Sequence, residues 1–183
     1  MAKRALHFLI LTGARSEEVR GANWTEIDLA TSTWAIPGER MKTRQPHRIP
    51  LSTQALSVLQ WCAEMSGRKG LLFENRKGKP LSDMTLLKVL RDHDIPSDSP
   101  GRKATVHGFR SSLRDWASEN GYARDLAERA LAHTVANAAE AAYHRTDLLD
   151  QRRGMMQDWA EHVWSARSLR IADSDVRRGE LDG

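Results

Sequence analysis

The chain has a single cysteine, Cys62, among its 183 residues. One thiol cannot form an internal disulfide, and it cannot supply the spaced thiolates of a zinc knuckle or an iron–sulfur site. We therefore expect Cys62 to behave as a small buried hydrophobic residue.

The sequence also lacks a long hydrophobic run. His7 interrupts even the segment from Ala5 to Leu11, so no stretch approaches the roughly 18–20 residues of a membrane span. No small-residue cleavage site of a secretory signal follows the basic start. With 40% hydrophobic and 28% charged residues, the composition is typical of soluble globular domains and excludes disordered or collagen-like chains. We expect a cytoplasmic protein without membrane contact, made of one domain or at most two small ones.

The common catalytic motifs are missing as well. The chain has no G-x-x-x-x-G-K-[ST] phosphate loop, no H-E-x-x-H zinc helix, no G-x-S-x-G nucleophile elbow and no Rossmann glycine fingerprint. The formal charge of +4 is compatible with an anionic partner but does not establish one, because a basic patch rather than a total charge is needed to bind nucleic acid.

Hydrophobic periodicity predicts a mainly α fold with a small antiparallel β-sheet (α+β). The β-prone runs are Thr33–Ile36 and Arg48–Leu51, with Ile27–Leu29 as a possible third strand. Helices are expected on both sides of this island. The first ends at Gly13, the second starts after Ser16, and the remaining boundaries are N-caps at Ser52, Ser82 and Thr105 and stops at Gly67 and Asn120-Gly121.

The helix after Thr105 carries basic and apolar residues at helical spacing. His107, Arg110 and Arg114 are predicted to share one basic face, opposite an apolar core face. Alone, such a pattern indicates only a solvated helix surface.

Near the carboxyl end, Met155, Met156, Trp159 and Val163 form an apolar stripe, which either closes the domain's own core or docks on a neighbouring protomer. Residues 165–183 have no apolar period and are predicted to be a flexible charged tail.

Several separated motifs occur in a recognisable order. They are Thr12-Gly13-Ala14-Arg15-Ser16-Glu17-Glu18, Arg40-Met41-Lys42 before Pro46-His47-Arg48-Ile49-Pro50, His107-Gly108-Phe109-Arg110, Leu131-Ala132-His133, and Ala142-Tyr143-His144-Arg145. This set resembles the catalytic signature of the tyrosine recombinases, the phage integrase family. The local sequences around the motifs are similar to those of integrases from P4-like prophages and genomic islands. The resemblance covers roughly Ala2 to Val163. It implies a catalytic domain over residues 1–164 that lacks its usual first helix and the upstream core-binding and arm-binding domains.

The resemblance implies a site-specific DNA recombinase that acts through a 3′-phosphotyrosyl link and needs no metal and no cofactor. Its expected catalytic residues share one task, the transfer of a DNA phosphodiester to a tyrosine. They are Arg15 and Arg110 as phosphate clamps, Tyr143 as nucleophile, Lys42 as general acid, His107 as proton-transfer partner of Tyr143, His133 as a phosphate ligand, and Glu18 as the residue that orients Arg15.

The expected partners are double-stranded DNA attachment sites and other integrase protomers in a synaptic tetramer, docked through the C-terminal helix. Six basic residues outside the catalytic set are predicted to face the DNA backbone: Arg44, Arg48, Lys77, Lys79, Arg102 and Lys103. Two alternatives stay open from the sequence. One is a type IB topoisomerase-like enzyme that reseals the strand it cut, and the other is a catalytically silent DNA-binding or assembly remnant.

Overall fold

Seven α-helices and one small sheet make up the part of the chain that the computed structural model describes, residues 1–133 and 147–179, with residues 166–179 described by their backbone alone. The helices are α1 (Ala2–Thr12), α2 (Ser16–Arg20), α3 (Thr53–Ser66), α4 (Met84–Asp92), α5 (Gly108–Glu119), α6 (Arg124–Ala130) and α7 (Leu149–Gly179). The predicted mainly α class with a small antiparallel sheet is confirmed.

The sheet has three strands in the order β1 (Ile27–Asp28), β2 (Thr33–Ile36) and β3 (His47–Pro50), with both pairs antiparallel. Trp34 at its centre lies opposite Ile27 on one side and Ile49 on the other. β3 begins one residue earlier than predicted. Because side chains alternate along a strand, His47 therefore shares a face with the buried Ile49.

The end of α1 and both ends of α3 lie where their capping residues predict. α1 stops at Gly13, which adopts a left-handed conformation with a φ of 63°. Ser52 caps α3 by accepting a hydrogen bond from the Ala55 amide at 3.2 Å, and Gly67 closes the helix with a φ of 70°. Cys62, in the last turn of α3, is fully buried as expected.

Two predicted caps need correction. The residue before α4 is Asp83, whose carboxylate accepts from the first helical amide at 2.9 Å, while the Ser82 hydroxyl instead pairs with that of Thr85. The hydroxyl of Thr105 accepts from the Gly108 amide at 3.0 Å, so α5 begins only at Gly108. One turn of backbone separates Thr105 from the start of α5, and His107 occupies the N-cap position.

The buried residues form two clusters that share α7. One lies between α1, the sheet, α3 and α4, and the other lies between α5, α6 and α7. Ile10 of α1 and Val163 of α7 pack against both clusters, and the indole of Trp159 donates to the Ile10 carbonyl at 2.8 Å. The clusters therefore form one continuous domain.

The apolar stripe of α7 belongs to this core. Met155, Met156 and Trp159 are 0%, 1% and 4% exposed, so in the single chain these residues close the domain's own core, the first of the two interpretations left open by the sequence. The helix also continues to Gly179, through most of the segment predicted to be a flexible tail. Residues 165–179 include four arginines, which are good helix formers and do not need an apolar face to adopt helical backbone. The flexibility of residues 165–183 stays a prediction.

Within the residues described, no helix is long and apolar enough to cross a membrane.

Candidate active site

Arg15 sits between α1 and α2, where its side chain is held by Glu18. The Arg15 amide donates to one carboxylate oxygen of Glu18 at 2.7 Å, and Nη1 donates to the other at 2.9 Å. Glu18 is only 3% exposed, so the ion pair is largely shielded from water. The contact expected from their spacing is therefore present, and it fixes the direction of the Arg15 guanidinium.

Arg110 is buried on α5 and is not part of an exposed basic face, contrary to the sequence prediction. Its Nη1 donates to the carbonyl oxygen of Gly13, and Nη2 donates to that of Leu131 at 2.5 Å. These two residues are the C-caps of α1 and α6. Carbonyls at helix ends have no partner within the helix and carry partial negative charge, which accounts for the burial of a guanidinium between them.

The environment of Arg110 opposes its own charge. Burial and, second to it, the positive charge of Arg15 lower the pKa of the guanidinium to about 10, while Glu18 acts in the opposite direction. The buried Nε–H finds no hydrogen-bond acceptor among the described residues. A buried cation with a free N–H is suited to receive an anion, because an anion would supply the missing charge and hydrogen bond together.

Arg15, His107 and Arg110 line one open cavity of about 380 Å³. The other lining residues belong to the first turns of α2 and α4 and to the residues just before α2, α4 and α5; they are Ala14, Ser16, Glu17, Asp83, Leu87, Thr105 and Val106. His107 is exposed at the N-cap of α5. Of the six residues expected to share one catalytic site, Arg15, His107 and Arg110 therefore line the same cavity.

His133 lies beside this cavity. Nη2 of Arg15 is 3.4 Å from the Ala132 carbonyl oxygen, and the His133 ring bonds to the Glu128 carboxylate. His133 lines a second cavity of about 260 Å³ with Thr43, Gln45 and Pro46, which belong to the connection between β2 and β3. The connection that carries Lys42 therefore approaches His133, although the exposed Lys42 lines neither cavity.

The predicted nucleophile Tyr143 lies outside the described residues. The chain's other tyrosine, Tyr122, donates its hydroxyl proton to Asp158. Desolvation and this hydrogen bond raise the pKa of Tyr122 to about 12. A phenol held in this way is poorly suited to ionise and attack a phosphate.

His47 is a half-buried residue of this region to which the sequence analysis assigned no role. It lines the second cavity, and its Nε2 lies 3.3 Å from the Ala130 carbonyl oxygen. Desolvation lowers the pKa of His47 to about 4, assisted by the charges of Arg152 and Arg110. The sequence signal that could have identified His47 is the alternation of side chains along β3, which places His47 on the same face of the sheet as the buried Ile49.

This lowered pKa predicts acid sensitivity. His47 binds its proton near pH 6.5 in the unfolded chain and only near pH 4 in the folded chain. Its contribution to the unfolding free energy is therefore fully present above pH 6.5 and is lost as the pH falls from 6.5 towards 4. Between pH 7 and pH 5 the loss attributable to His47 is about 2 kcal/mol of unfolding free energy. In His47→Gln, urea unfolding at the two pH values should show a loss smaller by that amount. Equal losses in parent and variant would mean that His47 is solvated in the folded state.

The basic residues predicted to face DNA differ in how they are held. Lys77, Lys79 and Arg102 are exposed in loops. Lys103 forms an ion pair with Asp94. The remaining two lie on the β2–β3 hairpin: Arg44 is exposed and reaches the Glu39 carbonyl at 3.3 Å, and Arg48 forms a two-pronged pair with Asp147, each contact 2.8 Å long.

Asp147 is also approached by Arg152, which is fully buried. Desolvation raises the pKa of Asp147, but hydrogen bonds from Arg48 and the charge of Arg152 outweigh this effect and leave it lowered. Arg152 donates to the carbonyl oxygens of Asp147 and Arg48 at 2.8 Å each. This buried arginine, which sequence reasoning missed, fastens the start of α7 to β3.

A search of the described side chains finds no group of three His, Cys, Asp or Glu residues placed to hold a metal ion.

Residues 1–148 match the model of the phage integrase family, and the chain belongs to that family, the tyrosine recombinases. It is 37% identical over 176 residues to the prophage integrase IntA of Escherichia coli K12, covering 95% of this chain and 41% of that protein. It is 36% identical over 190 residues to the integrase of enterobacteria phage P4, covering 94% of this chain and 42% of that protein. The chain thus spans about two fifths of the length of these curated relatives.

Solved structures show the same fold. The XerA recombinase has a TM-score of 0.54 at 15% identity, covering 91% of this chain and 62% of that one. A lambda integrase fragment, described as a dimer bound to a COC′ core site, has a TM-score of 0.53 at 20% identity, covering 80% of this chain and 52% of that one. The described architecture is therefore that of a tyrosine recombinase catalytic domain.

Proposed function

We propose that this chain is the catalytic domain of a site-specific DNA recombinase that cleaves and rejoins strands through a 3′-phosphotyrosyl intermediate. The observation that carries the proposal is the convergence of Arg15, His107 and Arg110 on one cavity in a chain of the phage integrase family. Two of its relatives are integrases of a prophage and of a phage, which supports a role in DNA integration.

In this proposal the two guanidinium groups bind the non-bridging oxygens of the scissile phosphate. Attack on a phosphodiester places additional negative charge on these oxygens in the transition state. Arg15 is already oriented by Glu18, and Arg110 by two carbonyls, so little reorganisation is needed when that charge develops. His133, whose ring is held by Glu128, would add a further hydrogen bond to the phosphate.

The proton transfers complete the step. The Tyr143 oxygen forms the new bond to phosphorus and gives up its proton with the assistance of His107. The bond from phosphorus to the 5′-oxygen breaks, and the Lys42 ammonium protonates that oxygen so that a 5′-hydroxyl leaves. The phosphotyrosyl link conserves the energy of the broken bond, so a second DNA end can be joined without ATP. No step in this sequence calls for a metal or a cofactor.

Double-stranded attachment sites and further protomers in a synaptic tetramer are the proposed partners. Protomer contacts through α7 would have to use side chains other than the buried Met155, Met156 and Trp159.

The test is covalent capture on DNA of unspecified sequence. The chain is incubated with a pool of nicked duplexes whose central sequence is randomised, so that cleavage beside the nick releases a short fragment and traps the enzyme. DNA that survives denaturation in detergent while linked to protein is then sequenced. We expect a covalently linked fraction with a common sequence.

Three other outcomes would contradict the proposal in different ways. Retention of DNA that is lost in detergent would favour the silent DNA-binding remnant. Linkage without sequence preference, with relaxation of supercoiled plasmid and no exchange between duplexes, would favour the topoisomerase-like alternative. No interaction with DNA of any kind would overturn the function as a whole.

Backbone contacts outside the catalytic set are proposed for Arg44, Arg48, Lys77, Lys79, Arg102 and Lys103. Each phosphate contact contributes about 0.9 to the slope of log binding constant against log salt concentration. Replacing both Lys77 and Lys79 with glutamine should therefore lower the slope by up to about 2, measured by fluorescence anisotropy over a salt series. An unchanged slope would remove these two lysines from the interface.

A further inference from the structure

A partly buried ion pair joins the Arg15 region to the hairpin that carries Lys42. Arg40 Nη1 lies 2.5 Å from both carboxylate oxygens of Glu26, and Nη2 donates to the Glu18 carbonyl oxygen at 2.5 Å. The side chains of Arg40 and Glu26 are 24% and 9% exposed, so water screens the pair only weakly. One guanidinium therefore connects α2, the turn before β1 and the hairpin.

The partners of Arg40 are themselves held in place. Glu26 accepts a hydrogen bond from the Trp34 indole at 2.9 Å and another from the Asn23 amide at 3.3 Å. Trp34 is fully buried in the sheet. Glu18, whose carbonyl oxygen receives Nη2, is the residue whose carboxylate binds Arg15. Arg40 is thus bound to Glu18, the same residue that orients the Arg15 guanidinium.

The chain around Arg40 is folded tightly on the hairpin side. Amides of Arg40, Met41 and Arg44 each donate to the carbonyl three residues earlier, at 3.0 Å. Met41 is 2% exposed, whereas the adjacent Lys42 is exposed. A β-carbon on Gly38 would lie 2.7 Å from the Arg44 carbonyl oxygen, so the turn closes only with glycine at that position. The backbone is therefore fixed immediately before Lys42 while its side chain stays free to reach outward.

We infer that Arg40, held by Glu26, is a positioning residue that sets the Lys42 general acid at a fixed place relative to the Arg15 clamp. The inference rests on the proposed function and adds to it a residue that touches no DNA. Without the Arg40 anchor, the hairpin keeps its turns but loses its attachment to α2. Lys42 then spends less time within reach of the leaving oxygen, and protonation of that oxygen becomes slow.

The chemistry of the leaving group gives a direct test. In a duplex with sulfur in place of the 5′-bridging oxygen at the scissile phosphate, the same bond to phosphorus forms and the bond to sulfur breaks. The thiolate leaves without a proton, because it is a far weaker base than an alkoxide. A defect confined to the general acid disappears on this substrate, whereas a defect in the phosphate clamp or in folding persists.

The experiment measures single-turnover cleavage at saturating DNA on the oxygen and sulfur versions of a sequence selected from the pool. For Arg40→Gln we expect cleavage of the oxygen substrate to slow by about 10²–10³-fold, with cleavage of the sulfur substrate within about threefold of the parent. Lys42→Ala should show the same pattern. Arg40→Lys keeps the charge and one hydrogen bond, so it should recover part of the loss. Glu39→Gln, an exposed change on the same hairpin, is the control and should behave as the parent on both substrates.

The other outcomes separate the possible failures. Equal slowing on both substrates, or no slowing on either, would overturn the positioning role while leaving the function intact. If the parent cleaves neither substrate, the proposed function itself fails and the inference fails with it. If Arg40→Gln unfolds, as judged by thermal melting, Glu26→Gln replaces it, because glutamine keeps the shape and hydrogen-bonding capacity of Glu26. This variant should also slow cleavage of the oxygen substrate selectively, but by a smaller factor.

Discussion

Replacing Arg110 with lysine is expected to slow DNA cleavage by about 10²–10³-fold at saturating DNA. Lysine keeps the positive charge but offers a point charge instead of a planar fork. Its three N–H groups share one nitrogen, which does not match the spacing of the Gly13 and Leu131 carbonyls that Nη1 and Nη2 bind separately while Nε is left for a phosphate. Folding should be affected far less, by about 1–2 kcal/mol for the lost hydrogen bonds.

The matched control is Arg114→Lys, the same change one helical turn further along α5. Arg114 is exposed and pairs with Asp115 at 3.3 Å, so both cleavage and unfolding free energy should stay at the parent values. Single-turnover trapping and urea unfolding of the two variants separate catalysis from stability. Cleavage by Arg110→Lys within about threefold of the parent would refute the role of Arg110 as a phosphate clamp.

Gly13→Ala is expected to have the largest effect on stability. Gly13 has a φ of +63°, and a β-carbon there would lie 2.6 Å from Leu113 Cδ2 and 3.3 Å from Leu131 Cδ2. The left-handed backbone costs a residue with a side chain about 1–2 kcal/mol, and overpacking of a dense core adds about 1–3 kcal/mol. We expect a loss of about 2–5 kcal/mol in unfolding free energy, together with slower cleavage because the Gly13 carbonyl holds Arg110.

Gly67→Ala isolates the backbone contribution. Gly67 has a φ of +70°, but nothing lies within 4 Å of the added β-carbon. Its loss should be limited to about 1–2 kcal/mol and should leave cleavage unchanged. Equal losses for the two variants in urea unfolding would show that the contact between Gly13 and the leucines is relieved by a small movement.

Local signals explain why much of the fold could be predicted from the sequence. Helix ends are set by the backbone or side chain of single residues, here Gly13, Ser52 and Gly67. Their effect can therefore be predicted without knowledge of tertiary contacts. The β-prone runs around Trp34 identify the sheet in the same way. The first residue of α4 was harder to predict, because Ser82 and Asp83 are both good N-caps and only the folded backbone decides between them.

The site was predictable in composition but not in arrangement. The motif order supplied Arg15, His107 and Arg110, and the spacing supplied the Glu18 contact. Helical periodicity put Arg110 on the surface because it treats every arginine as exposed. The carbonyls that accept its hydrogen bonds, 97 and 21 residues away, are visible only in the folded chain. The same reason hides His47, whose burial depends on packing against the end of α6.

The Arg40 network shows this limit most clearly. The resemblance marked the Arg40-Met41-Lys42 segment for its lysine, and nothing in the sequence joins Arg40 to Glu26, 14 residues earlier. Such a pair forms because the turn before β1 and the hairpin after β2 meet at one end of the sheet. Contacts of this kind require the strand register, which a run of β-prone residues does not define.

The most direct test of this account is to identify the residue that carries the DNA. Protein trapped on the nicked pool is digested with protease and nuclease, and the peptide bearing a residual nucleotide is located by mass spectrometry. The account predicts a phosphodiester on the oxygen of Tyr143, and none on Tyr122, whose hydroxyl is bound to Asp158. Linkage through Tyr122, through a serine, or through no residue at all would contradict it.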